Sequence, residues 1–365
     1  MRSVPLARRS VLVDPRRLVT TVAGVGTALA LILLLSALWA GLRAQAGAYA
    51  DNAGANLIVA EAGTRTIEVD SSVLPAQTAA AVESVPGVRA ADPVLYRYTV
   101  VDLHGRRLFT RLVGSVPGGL GGPWRLLDGR LAADGEVVID RTLAREHDLA
   151  IGDQFSVLGT PLEIVGLSGG TRSWMTNVVF TTHSTAADLL RVSQSANLVL
   201  VQADQPAQVA ERIRSDLGVA VLTPAEVAAN DREVLTGVMA APMGLMIAVA
   251  FAAGTLVTAL SVYSSVVERV REYGVVKAIG ASGWRMLRTV VGQTLVVTVL
   301  AGAASYGIYR AAAWAVVTAR PQFAVQLEPS ALAAVFAAAV LMALLGAVAP
   351  LLRIVRLDPA TVYRG

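Results

Sequence analysis

The sequence has little charge and no cysteine. Charged residues make up 16% of the 365 residues and hydrophobic residues 54%, whereas a soluble domain carries about 25% charged and about 45–50% apolar residues. The chain is therefore too apolar to be wholly soluble. The absence of cysteine excludes disulfides, thiolate metal sites and a cysteine nucleophile.

Catalytic motifs are lacking as well. The histidines His104, His147 and His183 are scattered and have no metal-ligand spacing. The glycine run Gly118–Gly122 is not followed by Gly-Lys-Ser/Thr, so we interpret it as a β connection and not as a phosphate loop. We expect no catalytic residue, no metal site, no cofactor bound by this chain and no nucleic-acid partner.

Four apolar stretches, free of charge apart from Arg43 at the end of the first and Arg310 in the third, are long enough to cross a membrane, which takes about 20 apolar residues. We predict transmembrane helices 1 to 4 at residues 18–43, 234–266, 289–319 and 331–352. As a helix, the second charge-free stretch is about 50 Å long at 1.5 Å per residue, which exceeds a bilayer core of about 30 Å. It should therefore project, tilt, or bend near Pro242.

Basic residues predict the orientation, because cytoplasmic flanks carry an excess of them. They concentrate in three segments, residues 1–17, 267–288 and 353–365, which we place in the cytoplasm. The region 44–233 and the short link 320–330 would then be external, in a multi-pass protein of a bacterial cell membrane. Residues 18–43 also suit a signal peptide, with small residues at Ser36–Ala40, but exceed its usual apolar length of about 7–15 residues. We prefer an uncleaved anchor.

The region 44–233 alternates between strand and helix patterns. Its two ends are predicted to be α+β, and a β-rich insertion of about residues 103–180 lies between them. The fold class is thus an integral membrane α-helical protein with an extracytoplasmic α+β domain between helices 1 and 2. Trp124 and Trp174 in this domain suit either core packing or contact with a ligand or membrane surface, and packing is favoured. The predicted elements are strands 56–60, 67–69, 94–101, 107–113, 136–139, 154–157, 162–165, 177–180, 197–201 and 219–222, and helices 77–85 and 207–217, the second of which should end in a left-handed cap at Gly218.

Three stretches carry a resemblance. Residues 267–282 read VERVREYGVVKAIGAS, residues 128–167 contain DGR, GEVVI, LAIGD and VGL, and residues 353–360 read RIVRLDPA. The first is similar to the cytoplasmic link of FtsX/MacB-type ABC permeases. The second resembles the MacB-like periplasmic core domain, and the third resembles the C-terminal ending of the family.

The resemblance implies a non-catalytic permease subunit. Its implied partners are an ABC ATP-binding subunit holding ATP and Mg²⁺, a second permease copy or homologue in a 2+2 complex, membrane lipids and an optional external adaptor protein. It implies export or extraction of a lipid, lipoprotein, peptide or drug. Regulation of a cell-wall enzyme, as in FtsX, remains an alternative, and so does a membrane-anchored sensor or scaffold.

The segment 267–288 also suggests its role through its own residues. Charged residues at helical spacing, apolar contacts and a glycine that can end the helix favour a short element that docks on a soluble partner. A solvated basic turn is the alternative. The predicted coupling residues are Glu268, Arg269, Arg271, Glu272, Tyr273, Gly274, Lys277, Ala278, Gly280, Ala281 and Ser282, with tail contacts at Arg353, Arg356, Asp358 and Pro359.

Overall fold

A computed structural model describes residues 15–103, 106–174, 176–192, 195–268 and 283–355. The chain divides into two compact units. The described residues within 42–239 form one, which we call the α+β domain. The described residues before 42 and after 239 form the other, which we call the helical unit. Each is described by itself.

The helices fall into long apolar ones and short ones. Among the described residues, four helices are long and apolar enough to cross a membrane, and the candidate spans are Leu18–Ala46, Pro224–Glu268, Thr294–Ala319 and Pro329–Val348. In chain order the helices are α1 (Pro15–Ala46), α2 (Ala48–Asn52), α3 (Gln77–Glu83), α4 (Arg141–Glu146), α5 (His183–Leu190), α6 (Pro206–Leu217), α7 (Pro224–Glu268), α8 (Gly283–Ala319) and α9 (Pro329–Val355).

The strands all lie in the α+β domain. In chain order they are β1 (Leu57–Ala60), β2 (Leu74–Pro75), β3 (Val88–Leu103), β4 (Arg106–Ser115), β5 (Leu126–Gly129), β6 (Glu136–Asp140), β7 (Gln154–Val157), β8 (Thr160–Ser168), β9 (Asn177–Thr182), β10 (Ser195–Ala196), β11 (Leu198–Ala203) and β12 (Ala220–Leu222). Ten of them form one sheet in the order β12-β1-β11-β3-β4-β9-β6-β8-β5, with β7 pairing with β3 and β8.

The long strand β3 joins the two parts of the domain. Its first half pairs with β11, and its second half pairs with β4 and β7. Because β4 pairs with β9, β9 with β6, β6 with β8, and β8 with β7, the pairings close into a ring. The predicted β-rich insertion is therefore a closed barrel that shares β3 with the rest of the sheet. Its interior is apolar and includes Leu112, Phe155, Ile164 and Val179.

Polar side chains and a glycine set the ends of the short helices. The Asp140 carboxylate accepts from the Thr142 N–H at 2.8 Å and begins α4, and the Thr182 hydroxyl does the same for α5 through the Thr185 N–H. Helix α6 ends at Gly218, whose φ of 63° is left-handed. This confirms the cap predicted at that glycine.

One predicted strand is wrong. Residues 67–69 form no strand, although Ile67 and Val69 have strand composition. The N–H groups of Ile67 and Glu68 instead donate to the Asp231 carboxylate at 3.0 and 3.2 Å. A side chain from a distant helix thus takes the place of a neighbouring strand.

Small residues let the long helices approach closely in the helical unit. A Cβ atom at Gly254 would lie 2.8 Å from Ala28 Cβ and 2.9 Å from Met342 Sδ, and one at Gly24 would lie 2.9 Å from Val257 Cγ1. A Cβ atom at Gly302 would meet nothing within 4 Å. Glycines at membrane-helix interfaces permit such packing. Close contact therefore requires glycine at Gly24 and Gly254, but not at Gly302.

Candidate functional site

The predicted coupling residues fall mostly outside the described residues. Glu268 is the last residue of α7, and Ser264 donates to its carboxylate at 3.1 Å. Arg353 lies in the last turns of α9. The remaining members lie outside the described part of the chain, so their contacts stay predictions; they are Arg269, Arg271, Glu272, Tyr273, Gly274, Lys277, Ala278, Gly280, Ala281, Ser282, Arg356, Asp358 and Pro359.

Helix α7 leads to this segment without a break. It contains 45 residues, with Pro242 inside it, and is about 67 Å long at 1.5 Å per residue. Its first residues belong to the α+β domain and the rest to the helical unit. A single helix therefore begins in the domain and ends at Glu268, the first of the predicted coupling residues.

Side chains of three consecutive residues fasten the start of α7 to the domain. Asp231 accepts from the N–H groups of Ile67 and Glu68, as given above. The Asn230 amide donates to the Arg65 carbonyl at 2.9 Å. Arg232 pairs with Asp51, which follows α1 by a few residues. Val227 and Ala228 add buried apolar contacts to the same core as Ile67. The first turns of α7 are thus held by polar and apolar contacts together.

Behind this attachment lies a buried ion pair. The Arg111 guanidinium, 1% exposed, lies 2.5 Å from the Glu68 carboxylate, which is 2% exposed. Ser173 donates to the same carboxylate at 2.9 Å, and Arg111 also donates to the Tyr98 hydroxyl at 2.8 Å. The Arg111 guanidinium faces the Tyr98 ring, 5.1 Å from its centroid. Buried charges need partners of this kind, although the Arg111 Nε–H has no hydrogen-bond partner among the described residues.

The surroundings keep Arg111 and Tyr98 in fixed protonation states. Burial raises the pKa of Tyr98 to about 12, and the nearby Arg111 charge only partly opposes this. Burial alone would lower the pKa of Arg111, but the Glu68 carboxylate and the Tyr98 hydroxyl together outweigh it and hold that pKa above its ordinary value. Arg111 therefore remains a cation and Tyr98 remains neutral at any physiological pH. The cluster is a fixed electrostatic joint between β3, β4 and the segment that holds α7.

Sequence reasoning missed this cluster, although one signal was present. Arg111 lies in the predicted strand 107–113, at the position that alternates onto the same face as Val113. Val113 is buried in the core, so a charge at that position needs a buried partner. Nothing local identified Glu68 or Asp231 as neighbours, because they are far away along the chain.

The two tryptophans of the domain differ. Trp124 is half-buried and packs edge-to-face against Phe180, with centroids 6.2 Å apart, and against Tyr49 at 6.3 Å. The indole N–H of Trp174 is buried without a hydrogen-bond partner among the described residues. Packing explains Trp124 as expected, but its ring also lines a pocket that is described below.

Comparison with known proteins decides the family. The model of the MacB-like periplasmic core domain matches residues 18–216, more than half of the chain, and that of the FtsX-like permease C-terminal domain matches residues 244–359. The chain belongs to the MacB/FtsX-type ABC transporter permeases. The resemblance and the fold class predicted from the sequence are therefore confirmed. The permease is a multi-pass membrane protein.

Its relatives include full-length permeases. One, named an uncharacterized ABC transporter permease of Mycobacterium tuberculosis, is 28% identical over 369 residues, covering 98% of this chain and 99% of the relative. A second of the same species is 27% identical over 360 residues, covering 96% of each.

Two solved structures are similar to the permease over about half its length. The periplasmic region of MacB from Actinobacillus actinomycetemcomitans has a TM-score of 0.39 and 11% identity, and covers 49% of this chain and 92% of that structure. The extracellular domain of the transporter YknZ, from Gram-positive bacteria, has a TM-score of 0.35 and 12% identity, and covers 47% and 99%.

Proposed function

We propose that the permease couples ATP hydrolysis by a separate ATP-binding subunit to movement of its α+β domain. That movement exports or extracts a hydrophobic or amphipathic substrate. In this proposal both termini and residues 267–288 are cytoplasmic and the α+β domain is external. Two permease copies join two ATP-binding subunits, which hold the ATP and Mg²⁺.

Helix α7 carries the proposal. A force applied at Glu268 reaches residues 230–232 along one hydrogen-bonded helix. There it meets a joint made of a buried carboxylate, an ion pair and packed apolar residues. Cores that are close-packed pass on displacement instead of absorbing it. The proposed function of residues 267–282 is to receive that force from the ATP-binding subunit.

Docking of the ATP-binding subunit on the permease is tested by charge reversal in the predicted coupling segment. We expect Glu272→Lys to reduce co-purification of the ATP-binding subunit about tenfold, the equivalent of one lost charge-assisted contact. The matched control is Glu211→Lys on α6, where Glu211 is exposed. If the native complex contains no ATPase, and Glu272→Lys leaves function intact, the proposal is wrong.

Transmission of force along α7 to the α+β domain is tested with a spin label. Because the sequence has no cysteine, a single introduced cysteine places the label at one chosen site. A label at Glu83→Cys on α3 should change its distance to the label on the second permease copy when ATP is added to the complex. Three glycines inserted after Glu233 in α7 should abolish this change while the ATPase stays bound. The same insertion after Gly159, in the turn between β7 and β8, should leave it unaltered.

A sensor or scaffold gives the opposite results. In that case the label distance does not depend on ATP, and exchange of the last three spans for an unrelated anchor preserves function. These outcomes separate the two classes without knowledge of the substrate.

A further inference from the structure

A pocket of about 320 Å³ lies in the α+β domain beside the glycine run. One wall is the loop that follows β4, and the opposite wall is the end of α2 with Gly54. Val138 and Phe180, both fully buried, form its floor. Trp124, Leu131 and Ala132 complete the lining, and Leu131 is exposed at the edge. Ligand sites start at about 300 Å³, so the pocket can hold a small ligand or part of a larger one.

The loop is held in place by its own main chain. The Gly121 N–H donates to the Ala53 carbonyl at 2.9 Å, and the Gly121 carbonyl accepts from the Tyr49 hydroxyl at 3.0 Å. The Leu120 N–H donates to the Asp92 carboxylate at 2.7 Å. Gly121 has a φ of 80°, and a Cβ atom there would lie 2.7 Å from Leu200 Cδ1. The glycine run is therefore a fixed wall, and the pocket exists before any ligand enters.

The residues that line the pocket disfavour a charged ligand. No Asp, Glu, Lys, Arg or His belongs to the described lining, and its polar side chains are limited to Asn52, Ser115 and the indole of Trp124. An ion entering such a site would lose its hydration without a counter-charge, which is costly. Apolar groups gain about 0.8 kcal/mol for each methylene removed from water. The pocket therefore fits an uncharged hydrocarbon group.

The volume and the chain connectivity indicate which group. At about 30 Å³ per water, the pocket holds about ten water volumes, which is enough for a segment of one hydrocarbon chain. Asn52 follows Ala46, the end of the apolar helix α1, by six residues, so the two lie within about 20 Å of each other. The bilayer that α1 crosses supplies uncharged hydrocarbon chains in quantity.

We propose that this pocket takes one acyl chain of a membrane lipid. Trp124 and Ala132 contact the chain, the glycine run fixes the width of the site, and the charged headgroup stays outside past Leu131. As an assignment of the transported substrate class, this rests on the export function proposed above.

The test uses the full-length permease in lipid nanodiscs that contain a phospholipid with a photoactivatable diazirine near the end of one acyl chain. After illumination, adducts are located by peptide mass spectrometry. We expect adducts at residues 115–132 in addition to those on the long apolar helices, which serve as an internal reference. The ATP-binding subunit is absent, so failure here is distinct from failure of the co-purification test.

Two variants and a matched control locate the site. Ala132→Phe fills the pocket and should lower the adducts at residues 115–124 at least about tenfold, because each excluded methylene weakens binding about fourfold. Leu131→Asp places a charge at the exposed edge of the pocket and should lower the adducts at residues 115–124 without disturbing the core. Ala133→Phe, at the exposed neighbouring position outside the lining, should leave them unchanged.

Several outcomes would overturn the proposal. Adducts confined to the apolar helices would exclude an acyl chain in the α+β domain. Adducts that persist in both Ala132→Phe and Leu131→Asp would place the chain elsewhere on the domain. Labelling by an uncharged aromatic diazirine probe at residues 115–132, with none by the lipid, would assign the pocket to a ring-shaped ligand instead.

Discussion

The α+β domain and the helical unit distribute polarity in opposite ways. The domain encloses apolar side chains and buries a charged pair, Glu68 and Arg111. In the helical unit large apolar side chains such as Leu256, 69% exposed, face outward, while Ser305 is 1% exposed. Water drives apolar groups inward only where water is the solvent. The contrast indicates that the α+β domain is surrounded by water and the helical unit by lipid. Each prediction below tests this difference at a single position.

The largest effect is expected at the buried ion pair. Arg111→Met leaves the Glu68 carboxylate buried without its counter-charge, and should lower the free energy of unfolding of the α+β domain by about 3–5 kcal/mol. Urea unfolding of the full-length protein, followed by amide hydrogen exchange in β3 and β4, measures this.

The control for that prediction is Arg89→Met. Arg89 pairs with Asp204 on the surface, where its side chain is 69% exposed, and the variant should unfold at the wild-type urea concentration because solvent screens exposed pairs. Equal effects of the two variants would refute the idea that burial determines the contribution of a charge here.

The next effect concerns two apolar residues, Leu256 and Val69, that are both more than half exposed but face different solvents. Leu256→Lys should make membrane insertion of residues 234–267 less favourable by about 2.5–3.5 kcal/mol, since a charge at the centre of a span is costly. A host-protein insertion assay measures this. Val69→Lys, at a position 55% exposed in the α+β domain, should change the free energy of unfolding by no more than about 0.5 kcal/mol. A large cost at Val69, or none at Leu256, would contradict the two-solvent interpretation.

Close helix packing gives a third, smaller effect. Gly254→Ala introduces a Cβ atom into the contact with Ala28 and Met342 and should destabilise the helical unit by about 1–3 kcal/mol. Gly302→Ala meets open space and should be neutral, or stabilising by up to about 1 kcal/mol through helix propensity. Thermal unfolding in detergent compares the two, and the idea fails if Gly302→Ala is the more damaging variant.

The smallest effect is expected where α7 meets the α+β domain. Asp231→Asn keeps an oxygen that accepts from Ile67 and Glu68 and removes a carboxylate whose pKa burial raises to about 7, so the free energy of unfolding should change by less than about 1 kcal/mol. Asp231→Ala should cost more, because it leaves both N–H groups buried without an acceptor. Hydrogen exchange at residues 67 and 68 reports on these bonds directly, and equal protection in all three proteins would show that Asp231 does not hold this segment.

Most of the secondary structure follows from local pattern. The apolar stretches, the strands around Val94 and Val199 and the cap at Gly218 were predicted because composition and turn residues specify them locally. The strand at residues 67–69 was predicted wrongly because its N–H groups bond to a side chain 163 and 164 residues away. The closed barrel was seen only as a β-rich insertion, since ring closure depends on pairings between distant segments.

The sequence by itself determined that this protein crosses a membrane, carries an α+β domain after its first apolar helix and belongs with the permeases, because length, hydropathy and short motifs are written locally. Only the tertiary structure decided that Arg111 is buried against Glu68, that Asp231 fastens α7, and that a glycine run encloses a pocket. Each of these joins residues far apart in the chain. Their effects depend on burial and distance, which are properties of the folded chain and not of any segment.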